Sequence, residues 1–250
     1  MIILPIFFFI TAIFYSSIGF GGGSTYLALM LIWDIPYYIF PILALICNII
    51  VVSGNSINYI KFGYFDFKLL IPYLIGSVPL AFVGASIPIQ KEQFEILLFL
   101  ILVVAGILLL IESKTIDSKN IKINKIPKFL SFCIGAIIGF ISGTVGIGGG
   151  IFLSPVLFLI KAGYPKQIAT TASLFILINS ISGVAGQLTK DIVNAEFLNF
   201  WPLFLAVFLG GQIGNILNIK FFSNKTLALI TSLLVIFVAM RMGFKLLPYS

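Results

Sequence analysis

Long apolar runs alternate with short polar stretches along the whole chain. Within the runs the apolar residues are continuous, and charge is nearly absent from stretches such as 69–89 and 197–219. Such stretches have the ~20 residues that a helix needs to cross a bilayer, where backbone groups must hydrogen-bond internally. The pattern therefore predicts an all-α integral membrane protein. Its apolar runs are 1–33, 35–60, 69–90, 94–112, 129–160, 164–189, 197–219 and 226–247.

The last four runs resemble the first four. The glycine cluster at 19–23 (GFGGG) matches a second cluster at 146–150 (GIGGG). More pairs follow in the same order, at a spacing that drifts from 127 to 130 residues: Pro36 with Pro165, Ser53 with Ser182, Gly54 with Gly183, Asn58 with Gln187, Pro72 with Pro202, and Gly84 with Gly214. This ordered series predicts a duplicated unit, with a first transmembrane repeat at 1–112, a cytoplasmic linker at 113–128 and a second transmembrane repeat at 129–250.

The first run of each repeat is too long for one ordinary helix, and glycines interrupt its middle. We expect two half-helices, 5–15 and 24–33 in the first repeat, to form a re-entrant hairpin; a single kinked span is the alternative. With hairpins, eleven of the 15 Lys and Arg residues fall on one face and four on the other, against ten and five if every run crosses once. The positive-inside rule thus favours inverted repeats, each with a glycine-broken first segment and three transmembrane helices, and both termini outside.

Composition strengthens the membrane interpretation. The chain is 60% hydrophobic and 9% charged, whereas soluble domains carry roughly 25% charged residues. Its net charge of +7 comes from cations placed between the runs, which is typical of membrane topology and does not indicate nucleic-acid binding. There is no histidine, and Cys47 and Cys133 lie in separate apolar runs, so we expect no metal and no cofactor. The expected location is the cell inner (plasma) membrane, and a homodimer is left open.

The glycine clusters are the candidate substrate site. Each opens a half-helix, and glycine lets backbone N–H groups approach a ligand without an intervening Cβ. A helix N-terminus adds unpaired donors and a positive dipole end, which together favour an anion. Close packing of membrane helices is the alternative explanation. The candidate substrate-binding residues here are Gly21, Gly22, Gly23, Ser24, Gly148, Gly149 and Gly150.

Uncharged polar residues recur downstream of each cluster and could donate to anion oxygens without trapping the substrate through a permanent charge. Asn48, Thr171, Ser173 and Asn179 are the candidates that we add to the site. Hydrogen bonding between helices is the alternative for each of them. The wider polar set also contains Ser53, Asn55, Ser56, Asn58, Thr170, Ser180, Ser182, Gln187 and Gln212.

Several function classes lack the residues they need. The acids and bases in or beside the runs, among them Asp34, Glu112 and Arg241, lie near the predicted ends, so no buried proton relay is visible. An intramembrane protease would need a Ser–His pair, paired aspartates or zinc ligands, so we expect no enzyme. A small-anion transporter embedded in the lipid bilayer remains, with an anion channel and a non-transporting membrane subunit as alternatives.

The stretch 142–150 (SGTVGIGGG), followed by Pro155 and by 169–173 (ATTAS), resembles the TauE/SafE group of sulfite and sulfonate exporters. The cluster at 19–23 is similar to its usual first-half partner, and the resemblance extends over essentially the whole chain. It implies export of an oxidised-sulfur anion such as sulfite, sulfoacetate or thiosulfate. One departure is the first-half stretch around Cys47 and Asn48, which lacks a Thr-Ser run like that at 170–173.

Overall fold

The computed structural model describes residues 3–33, 35–115, 123–190 and 195–220, with six isolated positions between 233 and 243. The fourth apolar run of the second repeat (226–247) lies, apart from those six positions, outside the described residues. The described part is helical and contains no strand. Its helices are α1 (Ile3–Ile18), α2 (Gly23–Ile32), α3 (Phe40–Lys61), α4 (Phe67–Ser86), α5 (Lys91–Thr115), α6 (Lys128–Val145), α7 (Gly150–Leu159), α8 (Pro165–Gln187) and α9 (Trp201–Lys220).

Five helical segments in the described ranges are long and apolar enough to cross a membrane: Tyr37–Lys61, Phe67–Ser86, Lys128–Val145, Pro165–Gln187 and Glu196–Leu217. Large apolar side chains also cover the outer surface, since Phe129 is 78% exposed and Trp201 is 62% exposed. An apolar exterior suits hydrocarbon rather than water. The all-α membrane prediction is confirmed at this level.

The first apolar run of each repeat doubles back on itself. Near the open end of the first pair, the rings of Phe7 in α1 and Trp33 after α2 lie 5.4 Å apart. In the second pair, Asn124 precedes α6 and donates through N and Nδ2 to the O atoms of Lys161 (3.0 Å) and Ile160 (3.1 Å), just after α7. Each pair is therefore a helical hairpin rather than one kinked helix.

The two arms of each hairpin differ in length, which corrects the expected half-helix at 5–15. Helix α1 has 16 residues and continues to Ile18, so at ~1.5 Å per residue it is about 24 Å long. Helix α2 has ten residues and α7 also has ten, about 15 Å each. The long arm ends where the glycines permit a turn, and the short arm returns.

The two predicted repeats contact each other through their hairpins. Helix α6 packs along α4, and α1 packs along α9. Each hairpin therefore lies on the second long helix that follows the hairpin of the other repeat. Glycine permits the close approach: a Cβ at Gly143 would overlap the backbone O of Ala81. At the related contact of α1 with α9, a Cβ at Gly214 would overlap the backbone O of Ile13. Backbone therefore contacts backbone along both interfaces.

Helices α3 and α8 form the centre and run antiparallel. Ser56 near the end of α3 hydrogen-bonds Ser173 near the start of α8 (Oγ to Oγ, 3.1 Å). At the other end, the Leu45 side chain packs against Gly183. The predicted limits of the repeats and of the linker at 113–128 stay a prediction; helix α5 continues to Thr115, and residues 116–122 lie outside the described residues.

Candidate functional site

Both hairpins turn through glycines in the left-handed backbone region. Gly19 and Gly146 have φ of +86° and +88°, and Gly22 and Gly149 have φ of +88° and +83°. Residues with a Cβ rarely adopt this conformation, which explains why glycine occupies these four positions. We call residues 19–23 the first glycine turn and residues 146–150 the second. Gly22 is the N-cap of α2, and Gly149 is the N-cap of α7.

The starts of α2 and α7 carry backbone donors that the helices do not use. The first hydrogen bonds of α2 run from the N atoms of Thr25 and Tyr26 to Gly22 O, at 3.0 Å each. In α7 the corresponding bonds run from Phe152 and Leu153 to Gly149 O, at 3.1 Å each. Neither N-cap has a side-chain capping bond. The N–H groups at 23–24 and 150–151 therefore stay available to a ligand, at the positive ends of two helix dipoles.

Asn48 joins the two glycine turns. Its Nδ2 donates to Ile147 O at 3.0 Å, and its side chain also packs against Gly21 and Gly23 of the first turn. The side chain is fully buried, yet Oδ1 has no hydrogen-bond partner among the described residues. The structure thus brings together Asn48 and the predicted glycines of both repeats, from positions about 100 residues apart.

A small cavity lies where the turns meet. Its volume is about 10 Å³, roughly the space of one water molecule. An oxyanion needs more room, so the two turns have to separate before one can bind. None of the side chains that line it is ionised. The lining residues are Tyr15, Phe20, Gly21, Gly22, Gly23, Ser24, Ile147, Ile151 and Ile176.

Tyr15 is a member of this site that sequence reasoning missed. Its hydroxyl lies 2.7 Å from Thr25 Oγ1 and 3.3 Å from Ser24 Oγ, and all three residues are buried. This network fixes the first turn of α2 from the side of α1. The available signal was a hydroxyl-bearing aromatic residue in the middle of an apolar run, a few residues before the glycines.

The three candidates on α8 take different positions. Ser173 pairs with Ser56 of α3, an interhelical hydrogen bond, and its role in binding stays a prediction. Asn179 donates through Nδ2 to Phe175 O of its own helix at 2.8 Å, which leaves Oδ1 without a partner among the described residues. Thr171 Oγ1 is buried and also lacks a partner there. It is Ser180, absent from the predicted site, whose hydroxyl lies beside Gly148.

Several of the other polar residues connect helices. Asn55 Nδ2 donates to Ser16 Oγ at 3.2 Å, and Asn58 Nδ2 donates to Asn215 Oδ1 at 3.0 Å. Ser182 donates to Val78 O at 2.7 Å. In the residues that the structure describes, no group of three or more His, Cys, Asp or Glu side chains could hold a metal ion.

The comparisons with known proteins agree on one class. A family model described as "Sulfite exporter TauE/SafE" matches residues 4–242. The chain is 32% identical to the probable membrane transporter protein y4hK of Sinorhizobium fredii, over 98% of this chain and 97% of that protein. It is 24% identical to the probable membrane transporter protein YunE of Bacillus subtilis, over 92% of each, and 30% identical to the probable membrane transporter protein MJ0441 of Methanocaldococcus jannaschii, over 76% and 74%. No solved structure matches the chain significantly.

Proposed function

Because the chain belongs to the TauE/SafE sulfite exporter family of multi-pass membrane proteins, we propose that it exports a small oxidised-sulfur anion across the plasma membrane. Sulfite, sulfoacetate and thiosulfate are the substrates that we consider. The anion binds between the two glycine turns, where the starts of α2 and α7 supply backbone N–H donors. The family's transporter character is consistent with a protein that is not an enzyme.

The observation that carries this proposal is the convergence of two helix N-termini on one buried amide. Asn48 contacts Gly23 of the first turn and donates to Ile147 O of the second, so any group that enters between the turns meets donors from both repeats. Backbone donors and dipoles attract an anion without a cation that would hold it too tightly. Such a balance suits a carrier that must also release its substrate.

We further propose that the repeats are inverted in the membrane and that each hairpin is re-entrant. The antiparallel course of α3 and α8 supports this arrangement, since these helices hold the same place in the two repeats. The return of α2 and α7 to the start of their hairpins also supports it. Both turns would then lie near the middle of the bilayer, reached from opposite faces.

The membrane potential favours transport of an anion out of the cell. An inside-negative potential favours the exit of each negative charge by about 2.3 kcal/mol per 100 mV, and a dianion gains about twice that. The residues that line the cavity carry no carboxylate that could couple transport to protons. Export therefore proceeds by uniport driven by the potential.

The direct test measures sulfite flux into liposomes that contain only this protein, with the membrane potential set by potassium and valinomycin. We expect flux that follows the potential and persists when the pH gradient is collapsed. Loss of flux with the pH gradient alone would replace uniport by proton coupling. No flux at any potential would favour a non-transporting subunit, and flux at channel rates without saturation would favour an anion channel.

One variant tests whether the anion binds between the two glycine turns. Gly23 has an ordinary backbone conformation, and a Cβ there would lie 3.0 Å from Ile147 O and 2.7 Å from Asn48 Nδ2. Gly23→Ala should therefore intrude between the turns and lower anion binding about ten- to a hundredfold, as expected from one or two lost charge-assisted hydrogen bonds. Gly211→Ala is the control, because Gly211 also has an ordinary backbone conformation and a Cβ there would meet nothing closer than 3.5 Å.

A further inference from the structure

A second cavity lies at the C-terminal end of α8, outside the glycine turns. Its volume is about 40 Å³, roughly the space of three water molecules. Gln187 and Lys190 line it from α8 and the turn that follows, and Tyr37 and Tyr38 line it from the short helix before α3. Thr144 lines it from α6, two residues before the second glycine turn, so the cavity adjoins that turn.

Gln187 presents an unused donor at this cavity. Its side chain is fully buried, and Oε1 accepts from Lys190 Nζ at 3.1 Å. The Nε2 group has no partner among the described residues. A buried donor without a partner is costly, and an acceptor placed in the cavity would remove that cost.

Lys190 adds a positive charge held partly out of water. Burial lowers the pKa of its ammonium to about 8. The partner that the structure gives Nζ is the neutral Gln187 amide, so the ammonium lacks a counter-charge at this contact. The Tyr38 hydroxyl already has an acceptor, since it lies 2.8 Å from Glu196 Oε2 and donates to it. The cavity therefore offers an ammonium and an amide N–H as donors, beside the Tyr37 side chain.

In the other repeat, the residue related to Gln187 has a hydrogen-bond acceptor for its side-chain donor. Asn58 pairs with Gln187 in the sequence repeat, and its Nδ2 donates to Asn215 Oδ1. At the spacing that pairs Gly84 with Gly214, the counterpart of Asn215 is Ala85, which cannot accept a hydrogen bond. The Ala85 methyl group packs beside Gly186 instead. Asn215 therefore accepts the hydrogen bond of Asn58, whereas Ala85 leaves Gln187 Nε2 without an acceptor.

We propose that this cavity binds a small oxyanion through Lys190 Nζ and Gln187 Nε2, as a second site that receives the transported anion next to the second glycine turn. The volume suits an anion with three oxygens. The role in transport rests on the proposed function, whereas the binding itself does not.

The experiment titrates sulfite into the purified full chain in lipid nanodiscs by calorimetry. Wild type should bind two anions per chain. Lys190→Gln should weaken one of the two by tenfold or more, and Gln187→Glu should abolish it, because a carboxylate there repels the anion. Lys190→Arg, which keeps the charge, should retain it. Lys61→Gln, which removes an exposed lysine at the end of α3, is the matched control and should change neither site.

The results separate this site from the glycine turns. Gly23→Ala should remove the other anion and leave the Lys190-dependent one. The proposal is overturned if Lys190→Gln and Gln187→Glu, with unchanged melting temperatures, still bind two anions at wild-type affinity. It is also overturned if Gly23→Ala removes both anions. Lys190-dependent binding in a wild-type protein without flux would overturn the transport proposal and leave this site standing.

Discussion

The two glycine turns share positive φ at two matching pairs of glycines but differ at a third, since Gly148 has φ of +80° and its counterpart Gly21 has no positive φ. Their surroundings differ as well. Both have positive φ at matching glycines and both start a ten-residue helix. In the first repeat the flanking side chains are polar, with Tyr15, Ser24 and Thr25 joined by hydrogen bonds. The matching positions of the second repeat hold Ser142, Ile151 and Phe152.

The residues packed on the two turns also differ. Asn48 packs against Gly21 and Gly23 of the first turn, whereas Ile176 packs against Gly148 and Gly150 of the second, where Ser180 and Asn48 also lie beside Gly148. Because the turns share glycines but not side chains, the effects of the glycine backbone and of the side chains can be measured separately. In the proposed site, the glycine backbone of both turns would supply donors, and we expect the side chains that position an anion to come mainly from the first turn.

The largest expected effect tests the shared backbone. Gly22→Val and Gly149→Val should each lower sulfite flux by a hundredfold or more, because a β-branched residue at positive φ rotates the N–H donors away. The measurement is liposome flux, with expression and melting temperature in parallel. Gly63→Val is the control, since Gly63 has φ of +74° with open space around it. Equal loss of folded protein in all three variants would attribute the effect to backbone strain alone.

The next effect tests the difference between the turns. Asn48→Leu removes the amide that links the turns, and we expect anion binding to fall about ten- to a hundredfold. Ile176→Leu, a volume-conserving change at the corresponding place, should stay within about threefold of wild type. Calorimetric titration with sulfite checks both. Similar losses in the two variants would show that packing on the turns matters and that the Asn48 amide does not.

A smaller effect is expected at the Tyr15 network. Tyr15→Phe removes the hydroxyl that holds Thr25 and Ser24, so the start of α2 loses its side-chain support. We expect sulfite affinity to fall about three- to tenfold, in line with a net hydrogen bond of about 0.5–1.5 kcal/mol. Ser142→Ala is the matched change in the second repeat, where the hydroxyl donates only to Gly139 O of its own helix at 3.1 Å. An effect of Ser142→Ala as large as that of Tyr15→Phe would contradict the asymmetry.

The smallest effect is expected at Ser173. Its partner Ser56 belongs to the α3–α8 contact, away from the residues that line the cavity of the turns. Ser173→Ala should leave sulfite affinity within about twofold and should lower the melting temperature slightly. A tenfold loss of affinity with unchanged stability would return Ser173 to the binding site.

The sequence pattern predicted the helices and the place of the glycine turns, because hydrophobic runs and glycine positions are local features. It also grouped Gly23 with Asn48, and the structure places the two in contact, whereas their role in binding stays a prediction. It did not predict the contacts of Ser173 or Ser180, because a position on α8 does not reveal which helix faces it. The length of α1 was underestimated, since the continuous apolar run contains no signal that distinguishes an end at Tyr15 from one at Ile18.

The packing of α6 on α4 and of α1 on α9 means that neither repeat is complete by itself. The backbone surface of α4 that receives Gly139 and Gly143 would lie bare in an isolated first repeat, and that surface is not shaped for lipid. A single repeat could cover it only by pairing with a second copy that runs antiparallel to the first. Joining the two predicted repeats in one chain would provide equal numbers of both partners and allow each to diverge, so that one carries Asn48 where the matching position of the other is Leu177.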